Sequence, residues 1–216
     1  MARLVSTVSS HLNEVRRRLA RGLMRLAYGA PVGECQAPLP TRGIHRILVC
    51  HVSHTLGNTL LLTPLLQELQ RVYPGAEIDI VTRSAVASEV YRGYSNVARL
   101  FRLPAHGVGH PFTVVVQWRA MRARRYDLAI DTDPQSQTGR LLILRANARH
   151  TLGFSGPRKS GRLSHPVPAA LAPPRKGQQP VFLLRQALGN PEAAAYPTPD
   201  LRLGDEEQAQ GHAALA

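Results

Sequence analysis

The residues best able to do chemistry gather in two short stretches. The first, His51-Val52-Ser53-His54-Thr55-Leu56-Gly57-Asn58-Thr59, sets two imidazoles, three hydroxyls and a carboxamide around one glycine. The second, Asp131-Thr132-Asp133-Pro134, holds two carboxylates. Histidine titrates near neutrality and a carboxylate is ionised there, so His51, His54, Asp131 and Asp133 all qualify as general bases. Gly57 permits a tight turn, and Asn58 or Thr59 can cap a helix whose open N–H groups attract an anion. The same residues also suit a strand-to-helix turn with no chemistry, Asp133-Pro134 a plain turn, and each histidine a solvated loop position. The first stretch lacks the three spaced glycines of a dinucleotide fingerprint and the Gly-Lys-Ser/Thr ending of a phosphate-binding loop. His51 and His54 have no third ligand nearby, so no metal site is expected.

Further basic residues could meet an anion. Trp118 with Arg119, Arg122, Arg124 and Arg125 could bind phosphate or stack on a base, but reads better as the solvated face of a helix. Arg158, Lys159 and Arg162 lie in a Gly/Ser loop and are better placed for an anionic ligand, or form a mobile basic loop.

The elements around these stretches define a fold class. The chain has 216 residues, 44% of them hydrophobic, enough for a sizeable core and too many for a mainly disordered chain. Ile47-Leu48-Val49-Cys50 reads as a buried parallel strand within Ile44–Val52, followed by a helix with apolar residues from Leu60 to Val72. Tyr73-Pro74-Gly75 stops that helix before a strand at Ile78–Val81. Alternation continues: helix over 84–94, strand over 97–103, helix over 113–125, strand at Asp127–Asp131, helix over 136–146 and a last strand at His150–Phe154. Residues 156–180 read as loop, and short helices follow at 180–188 and from Asp205. Five strands alternating with helices predict an α/β, Rossmann-like parallel sheet covered on both faces. Its ligands bind where loops leave the C-terminal strand ends.

Residues 1–28 carry Leu4, Val8, Leu12, Val15, Leu19, Leu23 and Leu26 at helical spacing, with Arg16, Arg17, Arg18, Arg21 and Arg25 in the second half. This basic amphipathic helix suits an anionic membrane surface or packing on its own domain. A Pro/Gly linker completes residues 1–43, the domain proper spans 44–204, and 205–216 reads as the start of an interdomain segment. A formal charge of +13 favours an anionic partner. Its scatter along the chain argues against nucleic acid. Two cysteines make no disulfide framework, so a cytoplasmic location is the default.

The run Leu56-Gly57-Asn58-Thr59-Leu60-Leu61-Leu62-Thr63-Pro64-Leu65-Leu66, after Ile47-Leu48-Val49 and before Arg71-Val72-Tyr73-Pro74-Gly75-Ala76-Glu77-Ile78-Asp79, resembles the opening of glycosyltransferase family 9. That family contains the ADP-heptose:lipopolysaccharide heptosyltransferases. Tyr126–Asp131, Arg149–Phe154 and the stretch from Leu183 to Leu201 resemble later family segments, so the likeness covers about residues 44–205. It implies the N-terminal, acceptor-side half of a GT-B fold, with a donor-binding domain outside this chain or on a separate one. The implied reaction is inverting transfer of a sugar, from an ADP-linked donor, to a lipopolysaccharide or related glycan. The implied place is the inner membrane face, reached peripherally. No cofactor beyond the donor substrate is implied.

On this reading Ser53, Gly57, Asn58 and Thr59 hold the acceptor. The family's usual base after the turn glycine is Asp, whereas this chain has Asn58, and a carboxamide cannot take a proton. Asp131 and His54 are then the leading replacements. The alternative is a non-catalytic glycan- or partner-binding domain.

Overall fold

The computed structural model describes residues 37–104, 111–157, 159, 161–190 and 195–215. The expected basic helix at 1–28 and the first part of the linker lie outside these residues. In chain order the elements are β1 (Arg46–Cys50), α1 (Leu56–Leu60), α2 (Thr63–Val72), β2 (Glu77–Thr82), α3 (Ala87–Val90), β3 (Val97–Arg102) and α4 (Pro111–Ala123). Then come β4 (Tyr126–Asp131), α5 (Gln137–Arg145), β5 (Ala148–Ser155), β6 (His165–Pro168), α6 (Gln179–Ala187) and α7 (Asp205–Leu215). The described strands form one six-stranded sheet in the order β3-β2-β1-β4-β5-β6, every pairing parallel.

Alternate residues of the central strands point to opposite faces, and both faces are apolar because both are covered. Ile47, Val49, Ile78, Ile80, Leu128 and Ile130 pack on one side under Leu62, Leu65, Leu66 and Leu69 around α2 and under Val181, Leu183 and Leu184 of α6. Leu48, Cys50, Val81 and Ala129 pack on the other under Met121 of α4 and Ile143 of α5. This is the predicted α/β, Rossmann-like architecture.

Four details depart from the sequence reading. The apolar helix expected from Leu60 to Val72 is two helices, because Pro64 lacks the N–H that a continuous helix would need and instead opens α2. The helix expected over 84–94 shortens to the single turn of α3. Within the loop expected at 156–180, His165-Pro166-Val167-Pro168 forms an edge strand; an edge accepts proline because its outer N–H row needs no partner. Finally, the end of the linker is packed: Leu39 is buried and donates its amide to the Ala187 carbonyl at 2.7 Å, while Tyr73 Oη donates to the Pro40 carbonyl at 3.0 Å.

A buried carboxylate ties α2 to α6. Glu68 accepts from Arg185 Nε at 2.8 Å and from Arg71 at 2.8 Å. Burial alone would raise the Glu68 pKa, but these two guanidinium groups outweigh it and hold the carboxyl below its usual range.

The edge formed by β5 and β6 carries a pair of imidazoles. His150 and His165 meet edge to face with ring centroids 5.3 Å apart. His165 Nδ1 shares a 2.9 Å hydrogen bond with the Ser164 hydroxyl, whose backbone and side chain bond in turn to Thr151. Burial lowers both pKa values; Arg149 adds to this for His150, which Asp127 partly opposes, and His150 adds to it for His165. A histidine held below its unfolded pKa contributes stability that is complete above the unfolded value and is lost as pH falls from there through the lowered folded value. The midpoint of urea unfolding is therefore expected to fall between about pH 7 and about pH 5, with a shallower fall in His165→Asn. An unchanged slope in that variant removes His165 as the cause.

Candidate functional site

The strand order reverses between β1 and β4. The chain builds outward from β1 to β3, then crosses to the other side of β1 and builds outward again. Loops leaving β1 and β4 at their carboxyl ends therefore part from each other, and the crevice between them is where an open α/β sheet binds its ligands. Both stretches singled out from the sequence lie at this edge.

The first loop turns sharply and then opens α1. Thr55 is the N-cap, its hydroxyl accepting from the Asn58 amide at 3.4 Å. The Asn58 side chain donates through Nδ2 to Ser53 Oγ at 3.1 Å, closing a small ring of polar side chains. Asn58 and Gly57 are exposed, Ser53 is half-buried, and a Cβ on Gly57 would meet nothing within 4 Å. The Asn58 carboxamide oxygen has no protein partner among the described residues. His54 is exposed on the same loop. Thr59 goes the other way: it is buried, its hydroxyl donates to the Thr55 carbonyl at 2.8 Å, and its own carbonyl accepts from Tyr91 Oη at 2.9 Å. Of the four residues expected to hold an acceptor, three reach the edge and Thr59 anchors the helix beneath them.

His51 joins the two loops. Its Nε2 lies 2.9 Å from the Asn58 carbonyl and its Nδ1 2.9 Å from Thr132 Oγ1. A carbonyl can only accept, so Nε2 carries a proton; the Thr132 hydroxyl at Nδ1 also lies 3.2 Å from the Cys50 carbonyl, and its single proton serves one of the two. Desolvation lowers the His51 pKa, against the opposing pull of the Asn58 carbonyl and the Asp133 charge. This imidazole is a neutral cross-brace. Asp133 orders the second loop, Oδ1 accepting the amides of Gln135 at 2.7 Å and Ser136 at 3.1 Å, and it remains half-buried at the edge.

Asp131, the leading carboxylate in the sequence, lies in the floor of the crevice and has no solvent-exposed surface. Its Oδ2 takes Lys159 Nζ at 2.7 Å and lies 3.5 Å from Arg140 Nε. Arg140 also donates to the carbonyls of Gly161, at 3.1 Å, and Phe154; Lys159 also donates to the Ser136 carbonyl. Desolvation raises the Asp131 pKa, while Lys159 and then Arg140 oppose that rise. Lys159 is therefore a buried partner of Asp131 and not the solvated anion contact expected of it. Sequence reasoning missed this cage. Its signal was Gly139-Arg140 inside a helical stretch: a Cβ at Gly139 would stand 2.4 Å from Asp131 Oδ1, so only glycine lets α5 approach the carboxylate.

At the edge, then, are an amide, a hydroxyl, an imidazole and a carboxylate suited to hydrogen-bonding a polyhydroxyl ligand and moving a proton. Among the described residues no three His, Cys, Asp or Glu side chains gather as a metal-ligand set.

Solved structures share this fold. The chain superposes on the E. coli ADP-heptose lipopolysaccharide heptosyltransferase II with a TM-score of 0.58 and 22% identity, over 79% of this chain and 50% of that one. This is the fold of half a heptosyltransferase. The E. coli heptosyltransferase WaaC, solved with ADP, matches at 0.57 and 18% identity over 73% of this chain and 51% of its own. A family 9 glycosyl transferase from Veillonella parvula matches at 0.58 and 18% identity, over 82% and 50%. This chain thus spans about half the length of the heptosyltransferases it matches. No family model matches it, and no curated protein does.

Two substitutions test the floor. Lys159→Met is expected to cost about 3–5 kcal/mol in urea unfolding, because removing one partner strands a buried charge. Gly139→Ala is expected to cost about 1–3 kcal/mol by overpacking against Asp131. Wild-type stability in both would mean the cage does not hold in solution.

Proposed function

We propose that this chain is the acceptor-side half of a heptosyltransferase-type glycosyltransferase, which moves a sugar from an ADP-linked donor to a lipopolysaccharide or related glycan at the inner face of the membrane. The observation that carries the proposal is the exposed Ser53–Asn58 loop at the crevice between β1 and β4, in a fold shared with one half of the heptosyltransferases. The residue resemblance at 56–79 supports it independently. In the expected step an acceptor hydroxyl oxygen forms a bond to the donor's anomeric carbon, the carbon–phosphate oxygen bond breaks, and the nucleoside diphosphate leaves with that electron pair.

The hydroxyl proton must go to a base. Asn58 orients the hydroxyl through its free carboxamide oxygen, and His54, exposed on the same loop, takes the proton. Asp133 is the carboxylate at the same edge. Asp131 acts from below, holding the loop after β4 in place. The donor is held by a second domain outside residues 1–216. No helix among the described residues is long and apolar enough to cross a membrane.

A second reading is binding without turnover. Asn58 in place of the family's carboxylate, together with the enclosed Asp131, favours it. Release of ADP from ADP-heptose by the purified chain, with a core oligosaccharide as acceptor and the separate domain added where one is encoded, tells the two apart. Glycosyl transfer predicts ADP release that drops about a hundredfold in His54→Gln and rises by at least about tenfold in Asn58→Asp. Saturable oligosaccharide binding with no ADP release in any variant establishes the binding reading. Neither binding nor release defeats both.

A further inference from the structure

Helix α4 is covered less than α2 and α6, the helices on the other face of the sheet. α2 and α6 bury most of their residues, whereas of the α4 side chains described, residues 115–123, only Met121 is buried. Val115 is 48% and Val116 63% exposed. At helical spacing Val115, Arg119 and Arg122 follow one another along a single outward line, with Val116, Ala120 and Ala123 beside it. Trp118 flanks that line with one side packed on the core cluster around Met121 and the Arg122 guanidinium 5.0 Å from its ring centroid.

Along the chain, the charge of this stretch has one sign. From Glu89 to Asp127 the sequence contains seven arginines and no acidic residue between the two. Arg124 is taken up by Glu77 and Asp79, but Arg119, Arg122 and Arg125 are exposed. An apolar strip with a tryptophan at its margin and arginines along it matches the headgroup boundary of a bilayer, where the ring and the valines enter the acyl edge and the guanidiniums meet phosphates. A second copy of this chain fits badly, since it would bring its own net +13 against the same arginines.

We propose that the outward face of α4 docks on an anionic membrane surface through Val115, Val116 and Trp118, with Arg119, Arg122 and Arg125 pairing lipid phosphates. Connectivity gives the docking a consequence. α4 starts after β3 leaves the sheet's carboxyl edge and runs back to the start of β4, so its Val115-Val116 end lies toward the edge that carries Ser53, His54 and Asn58. A bilayer on this face brings lipid-borne ligands to that edge. The attachment is separate from any made by residues 1–28, and it holds whether or not the chain transfers sugar.

Trp118 is the only tryptophan in the chain, so its fluorescence reports on α4 alone. The full chain is mixed with phosphatidylcholine vesicles, with vesicles containing about one-third phosphatidylglycerol, and with the same anionic vesicles carrying brominated acyl chains. The expected result is a blue shift with the anionic vesicles only, and quenching by the brominated chains. Removing each arginine is expected to weaken binding about fivefold, so Arg119→Ser/Arg122→Ser weakens it about 25-fold. Val115→Ser/Val116→Ser abolishes the quenching. Vesicle sedimentation without a change in Trp118 emission places the anchor elsewhere and overturns the proposal. So does absence of sedimentation, equal binding to neutral vesicles, or a lipid-free shift that grows with protein concentration, which would mark self-association.

Discussion

The edge of this molecule rests on one buried ionic contact. Asp131 ends the central strand β4 in a place without solvent, and a carboxylate there is tolerable only with cations and hydrogen-bond donors around it. Lys159 and Arg140 meet that need from two directions, Arg140 from α5 and Lys159 from the segment after β5. Because both cations also hold backbone carbonyls, of Ser136, Phe154 and Gly161, the contact fixes a helix start, a strand end and a basic loop at once. Gly139 makes the approach possible by leaving the space a methyl group would fill. A buried ion pair of this kind adds little to stability over an apolar equivalent, but losing one partner is costly, which makes the arrangement specific.

Above that fixed floor the edge has a different character. The neutral His51 imidazole clamps the loop after β1 to the loop after β4, and Thr55 and Ser53 order the turn around Asn58. What is left facing outward is Ser53, His54, Gly57 and Asn58, with the apolar Leu56 among them and Asp133 the carboxylate beside them. Such a surface recognises hydroxyl groups by direction and not by charge, which suits a sugar. The division follows from burial: charged groups beneath set the geometry, and the polar groups above them stay exposed.

The outer surface extends this logic. A Rossmann-like sheet needs helices on both faces, but it does not require the outward side of a covering helix to be apolar. Two valines held outward on α4 among arginines, beside a tryptophan half-packed on the core, are the observation on which a contact beyond the domain is proposed, and the side of the sheet on which α4 lies decides what that contact would bring near.

Much of the fold was written locally. Apolar runs at 47–50, 78–81 and 128–130 and the punctuation at Tyr73-Pro74-Gly75 identify alternating strands and helices without any knowledge of partners, because period and turn chemistry are properties of neighbouring residues. The position of Ser53–Asn58 after the first strand was equally legible, since a loop between β and α elements of a parallel sheet must leave at the carboxyl edge. Strand β6 was not, because His165-Pro166-Val167-Pro168 has no strand pattern of its own and gains its conformation from pairing with β5. Nor was the split at Pro64, where a periodic leucine pattern outweighed a local breaker. The sequence by itself determined an α/β sheet, its basic charge and the loop at which its polar groups collect. Only the tertiary structure decided that Asp131 is enclosed, that Lys159 and Arg140 reach it across 28 and 9 positions of chain, and that Thr59 turns inward. Those outcomes depend on desolvation and on distances between residues remote in sequence, and neither quantity exists until the sheet has assembled.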